Sequence, residues 1–446
     1  MPAKQVHKIY NVNMKHFLTL LCCFLTTAIV AQQVVHSVTA ETNRMSPDTL
    51  TRRFKLKPGD LFTAQTYQKA QEDLHKLRVF KTLQFIEKER KDGVDIHIKA
   101  DDRSYVFPMV FALSGKKRAA GVSLASGNLF KQGESGFLFL GGGRDGFATH
   151  GGFSLGDHAV YAGYSHQNFE QRFYEKGWMS SPNIFSSADD KDNHNSTLLG
   201  QVRGKQDDLT ISYQYRFSGL WSFSVAPQYE YYSYKHHWLD SGNHSNISFG
   251  LHYADDIRPG LNMGALAGVG LSDKAHALRD LPRVRVGKLA DAVYTVGGSW
   301  TGSDYNIQKL SLNTAFLWEF KARHMLAVFA KMQRAFEAPF SNKIRSGDLL
   351  FGMGIYDREQ RGKTGVSAGV SFTYFILRNQ TGLLSLMPFY EQAYIEASGH
   401  SYQPHSGVGA TLTYRLWRFP LPVGLNFTQN LNDGSHHVGV RVGGHF

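Results

Sequence analysis

Long stretches in the C-terminal three-quarters of the chain alternate between apolar and polar side chains. Between Leu209 and Phe217 every odd position is apolar or aromatic and every even position is polar, and the alternation resumes at Trp221 after Ser218-Gly219. Such alternation places successive side chains on opposite faces of a β-strand. Soluble strands average about 5–6 residues, whereas a tilted strand needs ~9–11 residues to cross the hydrocarbon of a bilayer. The runs are of this second length, and they therefore predict membrane-spanning strands.

The alternation recurs up to the last residue. Further examples are residues 310–320, 408–416 and 438–446. In lipid only a closed barrel satisfies every backbone group of a sheet. At roughly 20–22 residues per strand with its connection, residues 103–446 predict an antiparallel β-barrel of about 16 strands whose polar positions face a wet lumen.

The composition agrees with this fold class. Charged residues are 19% and hydrophobic residues 42% of the chain, and the mean hydropathy of −0.31 excludes a multi-helix membrane bundle. The 31 Phe and 21 Tyr exclude disorder of the whole chain, because they supply ample surface for burial. The formal charge of +12 favours outer-membrane lipids and lipopolysaccharide phosphates as partners of an exported protein, and we expect no nucleic-acid partner.

Residues 1–31 have the pattern of a secretory signal peptide. Three lysines precede an apolar run from Phe17 to Val30, and Ala31 is a small residue suited to cleavage. The run is shorter than the ~20 residues that span a bilayer as a helix. Cys22 and Cys23, the two cysteines of the sequence, lie in this segment. The mature chain, from residue 32, is therefore expected to contain no disulfide.

Residues 32–102 differ from the rest of the chain and predict a small α/β domain. Ser46 is a helix N-cap followed by Pro47 in the first turn, and Pro58-Gly59 breaks the helical pattern. A second helix has Tyr67, Leu74 and other apolar residues on one face. The predicted order is βααββ, with elements at 34–40, 46–54, 64–78, 82–89 and 94–100.

The strings FKLKPGDLF (54–62) and LHKLRVF (74–80) in this domain resemble a POTRA domain, the periplasmic module of outer-membrane assembly and translocation proteins. The resemblance identifies Pro58, Gly59, Leu77 and Phe80 as its motif residues. In that family the module offers a sheet edge to unfolded clients, which agrees with the physics of strand addition. The alternative is a plug or stabilising domain that has no client.

A POTRA domain followed by about 16 strands resembles the BamA/TamA superfamily (bacterial surface antigen family). The connection at 338–365 resembles that family's sixth external loop, which folds into the lumen and carries an Arg-Gly-aromatic motif whose Arg pairs with acids of the barrel wall. Two strings approach the motif. The first, from Ile344 to Gly347, keeps the Arg but inserts Ser346, and the second, which contains Gly354 and Tyr356, lacks an Arg. The resemblance implies lumen ion pairing for Arg345 and packing for Tyr356; the alternative is a solvated loop. The candidate motif residues are Ile344, Arg345, Gly347, Gly354 and Tyr356.

The C-terminal residues Val438, Val440, Val442 and Phe446 resemble the signal by which outer-membrane barrels are recognised for assembly. The alternative is an ordinary last strand without that role.

Two motifs that resemble catalytic sites lack the structural context that the chemistry requires. GxGxxG at 141–146 and GxSxG at 152–156 are followed by Gly-rich, strand-like sequence, whereas both motifs need a following helix. The 20 His include no HExxH. We therefore expect no catalytic residue, no cofactor and no metal, and a protein that is not an enzyme.

The resemblance implies a bacterial outer-membrane protein, with the N-terminal domain in the periplasm, that inserts or translocates unfolded outer-membrane or secreted polypeptides. The first and last barrel strands would part to template the client. Periplasmic or lipoprotein partners stay open. The alternatives are a passive pore or adhesin with a plug or anchoring domain, and a barrel that handles lipid or lipopolysaccharide.

Overall fold

The computed structural model describes seventeen segments of the chain. The chain divides into two compact units between Asp102 and Arg103. Each unit is described by itself. The described residues are 33–75, 80–102, 104–113, 119–143, 145–174, 179–180, 198–218, 220–235, 239–255, 287–320, 324–345, 349, 358–378, 382–397, 403–416, 423–432 and 436–442. The expected signal peptide lies outside them.

The N-terminal unit has the predicted βααββ order. Its three-stranded sheet has the spatial order β1-β3-β2, with β3 parallel to β1 and antiparallel to β2. Neither helix is long and apolar enough to cross a membrane, nor is any other described helix. The elements are β1 (Val35–Thr42), α1 (Pro47–Phe54), α2 (Ala64–His75), β2 (Phe80–Glu89) and β3 (Val94–Asp102).

Local capping and one apolar core explain this unit. The Ser46 hydroxyl accepts a hydrogen bond from the Thr49 N–H at 3.2 Å and so caps α1. The buried Asp102 carboxylate, at the end of β3, accepts backbone hydrogen bonds from Arg44 at 3.0 Å and Met45 at 2.8 Å. Between sheet and helices lie the fully buried side chains Leu50, Phe54, Leu74, Ile96 and Ile98.

The second unit consists of one large antiparallel sheet. Sixteen of its described strands have seven residues or more, and four have only two. The strands are β4 (Tyr105–Leu113), β5 (Ala119–Gly127), β6 (Ser135–Gly143), β7 (Gly146–Leu155), β8 (His158–Tyr174), β9 (Met179–Ser180), β10 (Leu198–Arg216), β11 (Trp221–Tyr234), β12 (Gly242–Asn243), β13 (Asn246–Asp255), β14 (Gly287–Gly297), β15 (Ile307–Phe320), β16 (His324–Glu337), β17 (Ile344–Arg345), β18 (Arg358–Glu359), β19 (Arg361–Arg378), β20 (Gly382–Ala397), β21 (Gln403–Leu416), β22 (Val423–Asn430) and β23 (His436–Val442); short 3-10 helices lie at Ser299–Thr301 and Phe340–Asn342.

The sixteen longer strands close into a barrel. Each pairs with the next longer strand along the chain, because β8 pairs with β10, β11 with β13 and β16 with β19. The last strand, β23, lies beside the first, β4, and this contact completes the ring. The prediction of about 16 strands is confirmed.

The wall has an apolar outer face and a polar inner face. Leu209, Ile211 and Tyr213 of β10 are exposed on the outside. The alternate residue Gln214 is buried on the inside, where its Nε2 donates to the Ser222 hydroxyl at 2.7 Å. This is the arrangement of a transmembrane barrel, in which lipid-facing and lumen-facing residues alternate.

One connection differs from its predicted bounds. Strand β19 begins at Arg361 and not at residue 366, so the connection after β16 spans 338–360 and not 338–365. The additional strand residues include the charged Arg361 and Lys363, which hide the apolar alternation. They belong to the strand because Gly362 pairs with both Ile344 of β17 and Ala397 of β20.

Candidate functional site

The connection at 338–360, called the lumen loop, contacts the far side of the barrel through its described residues 340 and 358–359. Its short strand β18 pairs antiparallel with β9, at Arg358 with Ser180 and at Glu359 with Met179. β9 follows β8 in the chain and pairs with it, whereas β18 lies immediately before β19. β8 and β19 are seven wall strands apart in the ring of sixteen. The pairing therefore bridges the mouth of the lumen.

Phe340 anchors the lumen loop on the opposite wall. Its ring lies 6.1 Å from the Phe173 ring of β8. The Arg361 guanidinium lies 4.9 Å from the centroid of the same ring and donates a hydrogen bond to the Phe340 carbonyl at 3.2 Å. Aromatic and cation–π contacts of this kind are worth about 0.5–2 kcal/mol each. The ring also packs against a cluster of buried residues, Phe169, Val202, Tyr232, Tyr234 and Leu239.

A polar network holds the residues next to Phe340. The Asn342 Nδ2 donates to Glu230 Oε2 on the wall at 2.6 Å. Its Oδ1 is hydrogen-bonded to His244 Nδ1, and the Phe340 N–H donates to the Asp240 carboxylate. Because Asn342 is buried, losing either partner would leave a polar group without compensation. The network therefore fixes the loop in one position.

Burial lowers the pKa of two groups outside the membrane-spanning strands. Desolvation lowers the pKa of His244, so its ring is neutral at neutral pH and Nδ1–H donates to the Asn342 side-chain oxygen. Desolvation, followed by the neighbouring Lys363 charge, lowers the pKa of Lys343. The environment of the loop thus disfavours additional positive charge.

The structure describes two of the five candidate loop residues. Ile344 is buried in a small core with Ala335, Leu349 and Ile395. Arg345 forms the next residue pair of β17, opposite Arg361. Gly347, Gly354 and Tyr356 lie outside the described residues.

The POTRA motif residues hold the beginning of β1. Gly59 has φ +93°, a left-handed conformation that favours glycine, and its N–H donates to the Val35 carbonyl at 2.8 Å. Pro58 precedes it in the same turn. Phe80 is buried as the first residue of β2. Leu77 lies outside the described part of the chain.

The other outer strand of the N-terminal sheet, β2, has an open edge. One side of β2 pairs with β3, and no described residue pairs with its other side. Ile86, in the middle of β2, is 51% exposed. An unpaired edge of this kind is a template for an added strand.

The C-terminal candidates lie on β23. Val438 is exposed and pairs with Phe427, while Val440 and Val442 pair with residues of β22. Phe446 lies outside the described residues, and the assembly-signal role stays a prediction.

No sequence pattern identified Phe340, Asn342, His244 and Glu230 as site residues. Between 98 and 112 residues separate Asn342 from its two partners, and no motif marks them. Among the described residues, no group of three His, Cys, Asp or Glu is placed to hold a metal.

The two units together define a POTRA domain joined to a transmembrane barrel. Residues 33–102 match the family described as "POTRA: Surface antigen variable number repeat". A search of curated proteins found no match.

Solved structures share the fold at low sequence identity. BamA from Haemophilus ducreyi lacking POTRA domains 1–3 is 12% identical with a TM-score of 0.51, covering 92% of this chain and 84% of its own. CdiB from Escherichia coli is 12% identical with a TM-score of 0.61, covering 92% and 75%. CdiB from Acinetobacter baumannii is 10% identical with a TM-score of 0.56, covering 92% and 74%. The predicted fold, a POTRA domain followed by a barrel like those of BamA and CdiB, is thus confirmed.

Proposed function

We propose that this protein inserts or translocates unfolded polypeptides at the bacterial outer membrane, with its POTRA domain in the periplasm. One observation carries the proposal: a POTRA domain with an open β2 edge is joined to a barrel that holds its own loop across the lumen. The fold shared with BamA and CdiB supports the same role.

The proposed mechanism is physical and needs no catalysis. A client strand adds to the edge of β2, where main-chain hydrogen bonds give affinity without strong sequence preference. The barrel then opens between β23 and β4, and the exposed strand edges template strands of the client. One observation favours this seam: it joins the first and last strands of the barrel.

The lumen loop argues against the passive-pore alternative. Its anchor Phe340 and the buried Asn342 fill part of the mouth with fixed side chains. Side chains fixed in the mouth narrow the passage, which favours a regulated passage over a pore that conducts freely.

A disulfide across the seam tests the proposal. Residues 32–446 contain no cysteine, so engineered cysteines would be the only thiols of the mature chain. Val438→Cys is combined in turn with a cysteine at Val106, Pro108 or Val110, and the pair that oxidises is kept. The purified protein is placed in lipid vesicles with a urea-denatured eight-stranded outer-membrane barrel as the client.

We expect oxidation to stop folding of the client and reduction to restore it. The matched control is a disulfide between Leu412 and Leu425, which are directly paired on the outer face of one hairpin. It should leave client folding unchanged. Client folding at the wild-type rate with the seam oxidised would contradict the mechanism.

A further inference from the structure

Three side chains on the inner wall form a continuous hydrogen-bonded chain. Ser224 Oγ lies 2.8 Å from His252 Nε2, and His252 Nδ1 lies 2.8 Å from Asp291 Oδ1. The residues come from the successive wall strands β11, β13 and β14. Nothing in the transport role requires a serine, a histidine and a carboxylate in this order.

The register of the strands explains how the three residues meet. His252 pairs directly with Asp291, and Ser224 pairs with Gly250, two residues before His252. Leu251 and Tyr294 are exposed on the outer face, so the alternate positions His252 and Asp291 face the lumen.

Gly250 leaves the space in which Ser224 and His252 meet. A Cβ atom at this position would lie 2.4 Å from Ser224 Oγ and 2.6 Å from His252 Nε2. Both distances are shorter than real Cβ contacts allow. Glycine is therefore a condition of the Ser–His hydrogen bond.

Contrary to the expectation from the sequence that the chain has no catalytic residue, we propose that Ser224, His252 and Asp291 form a serine-nucleophile site that hydrolyses small carboxylic esters in the lumen. In the neutral His252 ring, Nδ1–H donates to Asp291, which leaves the Nε2 lone pair to accept the Ser224 hydroxyl proton. Asp291 is a positioning residue that fixes this tautomer. Ser224 and His252 are the catalytic residues.

The reaction balances with water as the co-reactant. Ser224 Oγ forms a bond to the ester carbonyl carbon while His252 Nε2 takes the hydroxyl proton, and this proton then leaves with the alcohol as the ester C–O bond breaks. Water attacks the resulting acyl-serine and gives a proton to His252. The acid is released, and the proton returns to Ser224 Oγ.

Small residues flank Ser224 on the inner face on all sides but one. Ser222, Ala226 and Gly250 are small, whereas Gln214 of β10 pairs directly with Ser224 and has a longer side chain, whose Nε2 donates to Ser222 at 2.7 Å. Arg216, on the same face of β10, pairs with Ser222, and its Nε forms no hydrogen bond to any described residue. This guanidinium is a candidate to stabilise a developing oxyanion.

The test uses the full-length protein in detergent with a fluorophosphonate probe and p-nitrophenyl butyrate. We expect the probe to modify Ser224, as read by peptide mass spectrometry. Ser224→Ala should lose labelling and lower ester hydrolysis by about 100-fold or more, and Asp291→Asn should lower kcat by a similar factor with little change in KM. The matched control is Ser248→Ala, because Ser248 faces the same lumen but is hydrogen-bonded to Thr295, at 2.7 Å, and not to a histidine.

Gly250→Ala tests the geometry without removing a reactive atom. It should abolish labelling of Ser224 while the barrel keeps its heat-modifiable migration on a gel, which shows folding. Absence of labelling at Ser224 in the folded wild-type protein, or hydrolysis by Ser224→Ala equal to wild type, would overturn the proposal. Because the readout involves no polypeptide client, either result leaves the transport role untouched.

Discussion

Replacing Phe340 by alanine should release the lumen loop from the opposite wall. The half-buried ring contributes about 1 kcal/mol by burial, half the value of a fully buried Phe. The Phe173 ring contact adds about 0.5–1.5 kcal/mol and the Arg361 cation–π contact a similar amount. Together they give roughly 2–4 kcal/mol, which shifts the population of the released loop by roughly 30- to 700-fold.

Hydrogen exchange measures this shift directly. In the closed loop the Asn342 N–H donates to the Pro339 carbonyl at 3.0 Å, and the Lys343 N–H donates to the Phe340 carbonyl at 3.3 Å. Both amides should exchange faster in Phe340→Ala by the factor above. The control is Phe336→Ala, which removes a ring that is 48% exposed on the outer face. Equal exchange in Phe340→Ala and wild type would refute the anchoring role.

Two further predictions concern the POTRA domain. Asp102→Ala should destabilise it by roughly 2–4 kcal/mol, because two backbone N–H groups, that of Met45 buried and that of Arg44 partly buried, lose a charged acceptor. Exchange of the β3 amides measures this, and Asp101→Ala, a half-exposed neighbour, should cost less than about 1 kcal/mol. The hydrogen bond from Ser37, at 2.5 Å, is the main cause that lowers the pKa of Asp95. The folded-state pKa lies below the unfolded value, so Asp95 contributes stability above about pH 4 that is lost as the pH falls through the folded pKa. Asp95→Asn should remove that part of the acid sensitivity, and an unchanged pH profile of exchange would contradict it.

Local patterns were sufficient to predict most of the fold. The alternation from Leu209 to Phe217 predicts β10 and its lipid-facing side because each strand residue has only two possible faces. Ser46 and Pro47 likewise predict the start of α1 from the chemistry of helix capping. The predicted beginning of β19 was wrong by five residues, because Arg361 and Lys363 lie beyond the apolar part of that strand.

The site required distances that no local pattern contains. Phe340 meets Phe173 only after the chain has passed around half of the ring, and β9 and β18 pair through two residues each. Ser224 and His252 are brought together by strand register, which a shift of one residue would reverse. A glycine such as Gly250, unremarkable in a sequence with 44 glycines, acquires its meaning from the two side chains beside it.

The pairing of β9 with β18 fixes the order in which the barrel fails under mechanical load. The ladder between β9 and β18 has two residue pairs, Met179 with Glu359 and Ser180 with Arg358, whereas the ladder between β22 and β23 has seven. At about 1 kcal/mol per hydrogen bond, a force on the lumen loop separates β9 from β18 well before it separates β22 from β23. The pairing of β9 with β18 therefore separates first and can form again, while the barrel wall stays intact.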